Sequence, residues 1–169
     1  MGSLDPESLG RLIDEQASAL ELYARQWCDS PEDVVQEAFL KLCRQPRPPG
    51  RPVAWLFRVV RNEAITAARK SRIRRRHETT RNENSKWFAE GLQTGLDPAA
   101  ASEALAGLPL EQREVIVAHL WGKLTFEQIA EIMNTSSSGA HRHYQSGLAA
   151  LRERLCVECS TTNAPRKTT

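Results

Sequence analysis

The stretch that decides the fold is LTFEQIAEIMNTSSSGAHRHYQSGLAALRERL, residues 124–155. Thr125 stands three residues before Gln128, which is the spacing of a capping box at a helix start. Asn134 to Ser136 then offers a tight turn before a second helix, from about Ser137 to Leu155. Apolar residues at helical spacing give the first helix one buried face: Phe126, Ile129, Ala130 and Met133. The pattern therefore predicts a helix-turn-helix.

The second of these helices is expected to leave polar side chains exposed near its N-terminal end. A recognition helix presents such positions to the major groove, where hydroxyl groups suit phosphates and Arg or Gln suits base edges. The spacing alone is also found in small helical proteins that bind no DNA, so it favours DNA binding without establishing it. The candidate DNA-binding residues are Ser137, Ser138, His141, Arg142 and Gln145.

A second candidate for DNA contact lies in the first half of the chain. Residues 52–78 run from an apolar, aromatic start to a dense basic end. Basic side chains neutralise phosphates and aromatic rings stack on unpaired bases, a combination that suits melted DNA. Alternatively, the aromatic residues belong to the core and the charges are solvated. The candidates on this helix are Trp55, Phe57, Arg58, Arg61, Asn62, Arg69 and Arg72.

Two further helices are predicted before this segment. Apolar residues at helical spacing predict the first from about Pro6 to Cys28, with Ile13 in its buried stripe. Ser30 is positioned to cap the second, and Pro31 suits its first turn. The outer face of the second helix carries Asp33, Gln36 and Glu37, which composition alone predicts to be a solvated face.

The length and charge of the chain limit how many domains it can form and where it can bind nucleic acid. With 169 residues it has room for one or two domains, and each half is large enough for only a small helical core. The net charge is only +2, but seven of its Lys and Arg residues fall between Arg69 and Arg81. We predict an all-α fold of two small helical domains, at 1–78 and 98–157, joined by a flexible linker at 79–97 and followed by a disordered tail at 158–169.

Several classes of protein are disfavoured by the composition. No apolar stretch reaches the roughly 18 residues of a membrane span, and the first residues lack a secretory signal, so we expect a cytoplasmic protein. Cys28 and Cys43 are expected to be buried reduced thiols. The Cys156 and Cys159 pair has no second pair to complete a zinc site. The histidines are expected to be solvated or phosphate-facing rather than a cluster: His119, His141 and His143. We therefore predict no metal, no cofactor and no catalytic residue.

Three segments carry a family resemblance: EDVVQEAFLKL (32–42), WLFRVVRNEAITAARKSR (55–72) and ALAGLPLEQREVIVAHLWGKLTFEQIAEIMNTS (104–136), the last followed by LAALRERL (148–155). They resemble regions 2 and 4 of bacterial RNA polymerase sigma factors of the extracytoplasmic-function (ECF) class, within the sigma-70 family. The resemblance extends from about Leu9 to Leu155. It implies a transcription initiation factor whose partners are core RNA polymerase and promoter DNA, with an anti-sigma protein as a further partner in many members.

The resemblance also implies roles for particular residues. Asp33, Gln36 and Glu37 match the face that docks on the clamp helices of the largest polymerase subunit. The block around Trp55, Arg58, Arg61 and Asn62 matches the one that opens and reads the −10 promoter element. The recognition helix matches the reader of the −35 element, with Ser137, His141, Arg142 and Gln145 in contact with duplex DNA.

This sequence departs from the family pattern in the recognition helix, where the family's basic stretch reads Gly139, Ala140, His141, Arg142 and His143 and so carries fewer basic residues. The loss of positive charge weakens the expected grip on phosphates. One alternative function is a stand-alone helix-turn-helix regulator, which predicts a dimerisation surface and palindromic half-sites. The other is an enzyme acting on nucleic acid, which needs clustered carboxylates or a metal set. The acids Glu32, Asp33 and Glu37 disfavour it, because they lie at a helix start on the face that resembles a docking surface.

Overall fold

The computed structural model describes residues 5–75 and 98–162. Every regular element in these two ranges is an α-helix, which confirms the predicted all-α class. The predicted linker at 79–97 and residues 163–169 of the predicted tail lie outside the described ranges. The helices are α1 (Pro6–Ala24), α2 (Pro31–Cys43), α3 (Pro52–Arg75), α4 (Pro98–Ala106), α5 (Leu110–Leu120), α6 (Phe126–Met133) and α7 (Ser137–Thr162).

The first three helices pack together because each carries an apolar stripe on one side. The Asp5 carboxylate caps α1 by accepting a bond from the Ser8 amide at 2.9 Å. Ser30 precedes α2 as predicted, but its side chain makes no capping bond, so that prediction is wrong. The centre of this bundle consists of buried apolar side chains: Leu20, Tyr23, Val35, Phe39, Leu56 and Val60.

Helices α4 to α7 form the second bundle and contain the predicted helix-turn-helix. Both bonds of the capping box are present: the Thr125 hydroxyl accepts from the Gln128 amide at 3.3 Å, and the Gln128 side chain accepts from the Thr125 amide at 2.9 Å. Asn134 ends α6 in the left-handed region, at φ 55°, a conformation that Asn tolerates better than most residues. The Ser136 hydroxyl then accepts from the Gly139 amide at 3.0 Å and caps α7.

The last helix is longer than the sequence pattern indicates. Its apolar stripe predicts an end near Leu155, whereas α7 continues to Thr162 and so enters the segment predicted as a disordered tail. The side chains of Cys156 and Cys159 lie outside the described part of the chain. Their predicted lack of a metal role therefore stays a prediction.

Some positions predicted to be buried lie at the surface instead. Ile13 is 38% exposed, although it belongs to the predicted buried stripe of α1. Cys43 is exposed and Cys28 is half-buried, so the expectation that both thiols are buried is wrong. No helix in the described part of the chain is long and apolar enough to cross a membrane.

The two bundles share one hydrophobic core, which the periodicity of neither half indicates. Helix α5 packs on α1, and α6 packs on α3. Phe57 of α3 is fully buried, and a Cβ added to Gly122 would lie only 2.5 Å from the Phe57 ring. Gly122 therefore ends α5, as predicted, and also leaves room for the aromatic ring of the other bundle. This shared core places the third helix directly against the second bundle.

Candidate nucleic-acid interface

The predicted polymerase-docking residues lie on the outer face of α2. Buried neighbours such as Val34, Val35 and Ala38 turn toward the core, which leaves Asp33 and Gln36 exposed. Glu37 is partly exposed and forms an ion pair with Arg44 at 3.7 Å. An exposed pair of this length contributes little to stability. The face is therefore acidic and accessible, and its ion pair contributes little to stability.

An apolar groove adjoins this acidic face, between α1 and α2. It has a volume of about 350 Å³ and is lined in part by Ile13, Val35, Gln36, Phe39 and Leu40. Leu40 is 43% exposed and contributes a large apolar side chain to the lining of this groove. Sequence reasoning missed Leu40 because the residue follows buried Phe39 and fits the apolar run. The groove therefore places apolar surface next to the acidic face.

Two of the predicted DNA-binding arginines of α3, Arg58 and Arg61, lie against the second bundle. Arg61 Nε donates to Glu114 Oε1 at 2.5 Å. Arg61 is half-buried, and Glu114 is almost completely buried, with 2% of its surface exposed. Arg58 pairs with Glu131 of α6 at 3.6 Å, between two exposed side chains. Both guanidinium groups are therefore engaged by acids that lie far away along the chain.

Glu114 is held by a second donor as well. The Tyr23 hydroxyl donates to the same Glu114 oxygen at 2.7 Å, so α1, α3 and α5 meet at one carboxylate. Burial and the adjacent Glu114 carboxylate raise the pKa of Tyr23 well above its usual value. Burial lowers the pKa of Arg61, but the hydrogen bonds and charges of Glu114 and Tyr23 together outweigh burial and leave the pKa raised. The cluster thus favours protonated Tyr23 and charged Arg61.

The buried cluster predicts an alkaline transition in stability. Because the folded state raises the pKa of Tyr23, only the unfolded chain ionises this residue just above about pH 10. Its contribution to stability is complete below that pH and is lost as the pH rises toward the folded pKa. The chain has two tyrosines, so a Tyr144→Phe variant lets tyrosinate absorbance report Tyr23 alone. In that variant, tyrosinate should appear at higher pH in the folded protein than in urea, whereas coincident titrations would contradict the buried cluster.

The remaining α3 candidates differ in accessibility. Asn62, Arg69 and Arg72 are exposed, as DNA contacts require. Trp55 is half-buried and packs against the shared core, so only part of its ring is accessible. Phe57 is fully buried and belongs to the core, which confirms the structural reading of this ring and excludes it from base stacking in this conformation.

The recognition helix presents its predicted residues to solvent with one exception. Ser138, His141, Arg142 and Gln145 are exposed along α7. Ser137 is half-buried, and its hydroxyl donates to Glu127 of α6 at 3.5 Å. This bond stabilises the turn between α6 and α7. Gln145 Nε2 lies 3.4 Å from His141 Nε2, which puts both polar groups on one face.

An aromatic cluster fixes the angle between the two helices of the motif. His119 stacks on Phe126 with ring centroids 4.4 Å apart, and His119 Nδ1 lies 2.8 Å from the Leu124 carbonyl oxygen. Tyr144 meets both rings edge-on, and His141 meets the edge of Phe126 at 5.1 Å. His119 is therefore a packing residue rather than a solvated one. No cluster of metal-binding side chains occurs within the described ranges.

Two family models match this chain, one in each bundle. "Sigma-70 region 2" matches residues 12–74, which include α2 and nearly all of α3. "Sigma-70, region 4" matches residues 99–151, which include α5, α6 and the exposed start of α7. Together they cover more than half of the chain, in the order that the sequence motifs predict.

A curated relative and two solved structures agree with these matches. "ECF RNA polymerase sigma factor SigJ" of Mycobacterium tuberculosis (strain ATCC 25618 / H37Rv) is 30% identical over 125 residues, which cover 66% of this chain and 38% of SigJ. The chain thus spans well under half the length of this relative. The sigma factor RpoE in complex with the anti-sigma factor NepR from Bartonella quintana has a TM-score of 0.71 at 23% identity, covering 88% of this chain and 96% of RpoE.

CnrH in complex with the cytosolic domain of CnrY has a TM-score of 0.59 at 21% identity, and the match covers 90% of both chains. At these identities the two structures establish the fold alone.

The helix-turn-helix, the α3 block and both family matches lead to one conclusion. The chain belongs to the sigma-70 family of transcription initiation factors, as a member of its ECF class.

Proposed function

We propose that this chain binds core RNA polymerase and directs it to specific promoters. The observation that carries the proposal is the presence, in one chain, of a region 2 helix bundle and a region 4 helix-turn-helix whose recognition face is exposed. Polymerase supplies the chemistry, and this chain supplies binding energy, so no catalytic residue is assigned. The functional units are residues 1–78 and 98–157, joined by the linker at 79–97, and the protein acts in the cytoplasm.

Three surfaces of the chain carry out separate parts of this function. The acidic face of α2, with Asp33, Gln36 and Glu37, docks on the polymerase clamp and is supported by its exposure and by the adjoining apolar groove. Region 2 opens and reads the −10 element through Trp55, Arg58, Arg61, Asn62, Arg69 and Arg72. Holding bases out of the duplex costs roughly a few kcal/mol per unstacked step, which contacts to phosphates and rings must offset. An anti-sigma protein is a further partner of the class.

Region 4 reads the −35 element as duplex DNA. Ser138, His141, Arg142 and Gln145 lie on the exposed face of α7, and Ser137 supports the turn at its start. Arg142 is the only guanidinium among these five, and a bidentate arginine contact is the commonest way to specify guanine. Base readout in this region therefore depends mainly on Arg142.

Replacing Arg142 with Ala should weaken binding to the upstream element by about 1–3 kcal/mol and relax its sequence preference at one position. Polymerase affinity should not change, because Arg142 lies on α7 and the docking face lies on α2. The matched control is Arg152→Ala, which removes the same charge from an exposed position further along α7. Equal losses in the two variants would show that only net charge matters. The measurement is a competition assay with duplex DNA selected by the polymerase complex.

The function itself is tested by transcription from pooled genomic fragments with core polymerase, with and without the chain. We expect new transcripts whose start sites share a two-part motif upstream, and they should disappear when the chain is omitted. If the transcripts are identical with and without the chain while the chain alone shifts palindromic duplexes, the protein is a helix-turn-helix regulator instead.

A further inference from the structure

We infer that His141 determines which base Gln145 reads, because the protonation state of the imidazole decides how the Gln145 amide is oriented. The inference rests on the proposed function and deepens it, since both residues lie on the proposed −35 reading face. Arg142 remains the main base contact, and Gln145 is a second one. His141 is then a positioning residue that acts through Gln145, and the base preference at one promoter position depends on pH.

A hydrogen bond joins the two side chains on the exposed face of α7, where they lie one turn apart. Gln145 Nε2 is 3.4 Å from His141 Nε2. An amide nitrogen donates hydrogen bonds and does not accept them, so His141 Nε2 is the acceptor in this contact. An imidazole accepts only in its neutral form, and its proton then lies on Nδ1. The structure therefore shows the pair with His141 neutral.

The imidazole of His141 is held in place by the other helices of region 4. Its ring lies nearly perpendicular to that of Phe126, at 89° with ring centroids 5.1 Å apart. Phe126 in turn stacks on His119, whose Nδ1 lies 2.8 Å from the Leu124 carbonyl oxygen. These contacts from α5 and α6 fix the His141 ring. The exposed amide of Gln145 is therefore the group that rotates when the hydrogen bond changes.

Neutral His141 orients the Gln145 amide for adenine. Glutamine recognises adenine through two hydrogen bonds, in which the amide oxygen accepts from N6 and the amide nitrogen donates to N7. Only one of the two amide hydrogens is needed for this pair, and the other is available to His141. His141 thus holds the amide without occupying the groups that adenine needs.

A proton on His141 Nε2 reverses this arrangement. Two donors would then face each other across the same 3.4 Å unless the Gln145 amide rotates. After rotation the amide oxygen accepts from His141, and only the NH₂ group faces the DNA. An NH₂ group donates to guanine or thymine acceptors but cannot accept from adenine N6. Adenine loses one of its two bonds and is no longer favoured.

Histidine changes its charge between about pH 5 and 8, so a modest change in acidity exchanges the two orientations. A positively charged ring also strengthens the attraction to phosphates in every sequence. The ratio between bases, rather than total affinity, therefore reports the change at Gln145. Other charged or titratable side chains of these helices are Glu127 and Glu131 on α6, His119 on α5, and Arg142, His143 and Tyr144 on α7.

The test is selection from a randomised duplex library by the complex of the full chain with core polymerase, at about pH 8 and about pH 6. At one upstream position the natural chain should prefer adenine at least about fivefold more strongly at the higher pH, the lower bound for a bidentate contact. His141→Gln should prefer adenine equally at both pH values, because its amide oxygen accepts from Gln145 without titrating. The matched control, His143→Gln, removes another imidazole of α7 and should keep the natural pH dependence.

An adenine preference of the natural chain that is the same at both pH values would overturn the inference and leave the proposed function standing. A His141→Gln variant that keeps the natural pH dependence would do the same. A complex that selects no upstream motif at either pH would instead overturn the proposed function, and the inference with it. Should His141→Gln not fold, Gln145→Ala decides the matter, because pH dependence that persists without the amide contradicts the inference.

Discussion

Replacement of Phe57 by Ala should lower the free energy of unfolding by about 3–5 kcal/mol, the usual cost of removing a buried aromatic ring. The ring is fully buried, lies against Gly122 and packs on Tyr23, so its loss leaves a cavity at the centre of the shared core. Domains of this size have a stability of only about 5–15 kcal/mol, so a large part of the total is at risk. The measurement is urea unfolding of the full chain, followed by circular dichroism.

Two controls make this result specific. Phe57→Leu keeps most of the volume and should cost clearly less. Leu40→Ala removes an equally apolar but 43% exposed side chain and should change stability by no more than about 0.5 kcal/mol. If Phe57→Ala stayed within about 1 kcal/mol of the natural chain, Phe57 would not lie in a core shared by both bundles.

Reversal of charge at Asp33 and Glu37, by Lys at both positions, should weaken binding to core polymerase by about 100-fold or more, since like charges facing each other cost several kcal/mol. The fold should survive because Asp33 is exposed and the ion pair of Glu37 with Arg44 is a weak surface contact. The measurement is a fluorescence titration of the labelled chain with core polymerase.

The matched control reverses two exposed acids of α1, Asp14 and Glu15, and so changes net charge by the same amount. It should bind polymerase almost as the natural chain does. An equal loss in both variants would mean that long-range charge, rather than the α2 face, governs docking. Unfolding of the Asp33 and Glu37 variant would show that this face is structural.

Local features of the sequence predicted the helices and the turn. The capping box of Thr125 and Gln128, the stop at Gly122 and the turn at Asn134 depend on neighbouring residues, and all three occur where the pattern placed them. Two features differ from the prediction: α1 ends at Ala24 rather than near Cys28, and Ser30 makes no capping bond. The last turn of a helix and its cap depend on small changes in backbone angles.

The packing between the two halves depends on residues far apart in sequence and could not be read from periodicity. Glu114 looks like a surface residue beside Gln112 and Arg113, yet it is buried because Arg61 and Tyr23 reach it from the other bundle. The sequence contains one signal that α5 is buried on several sides. Residues 115–118 are all apolar, and four consecutive residues point to every side of a helix. A helix that is apolar all round is buried on more than one face.

The exposure of side chains was easier to predict on the recognition helix than on α3, because it depends there on local sequence. Exposure of His141, Arg142 and Gln145 follows from the stripe of α7 itself. Whether Arg58 and Arg61 are accessible depends instead on where the second bundle lies, which no local pattern encodes. Site residues on a helix that packs against another domain are therefore the least predictable from sequence.

The most direct test of the central claim is size-exclusion chromatography of the purified chain with bacterial core RNA polymerase. We predict that the natural chain and the Asp14 and Glu15 control co-migrate with polymerase, and that the Asp33 and Glu37 reversal elutes alone as a folded monomer. A natural chain that elutes separately from core polymerase, while binding duplex DNA unaided, would contradict the claim that this protein directs polymerase to promoters.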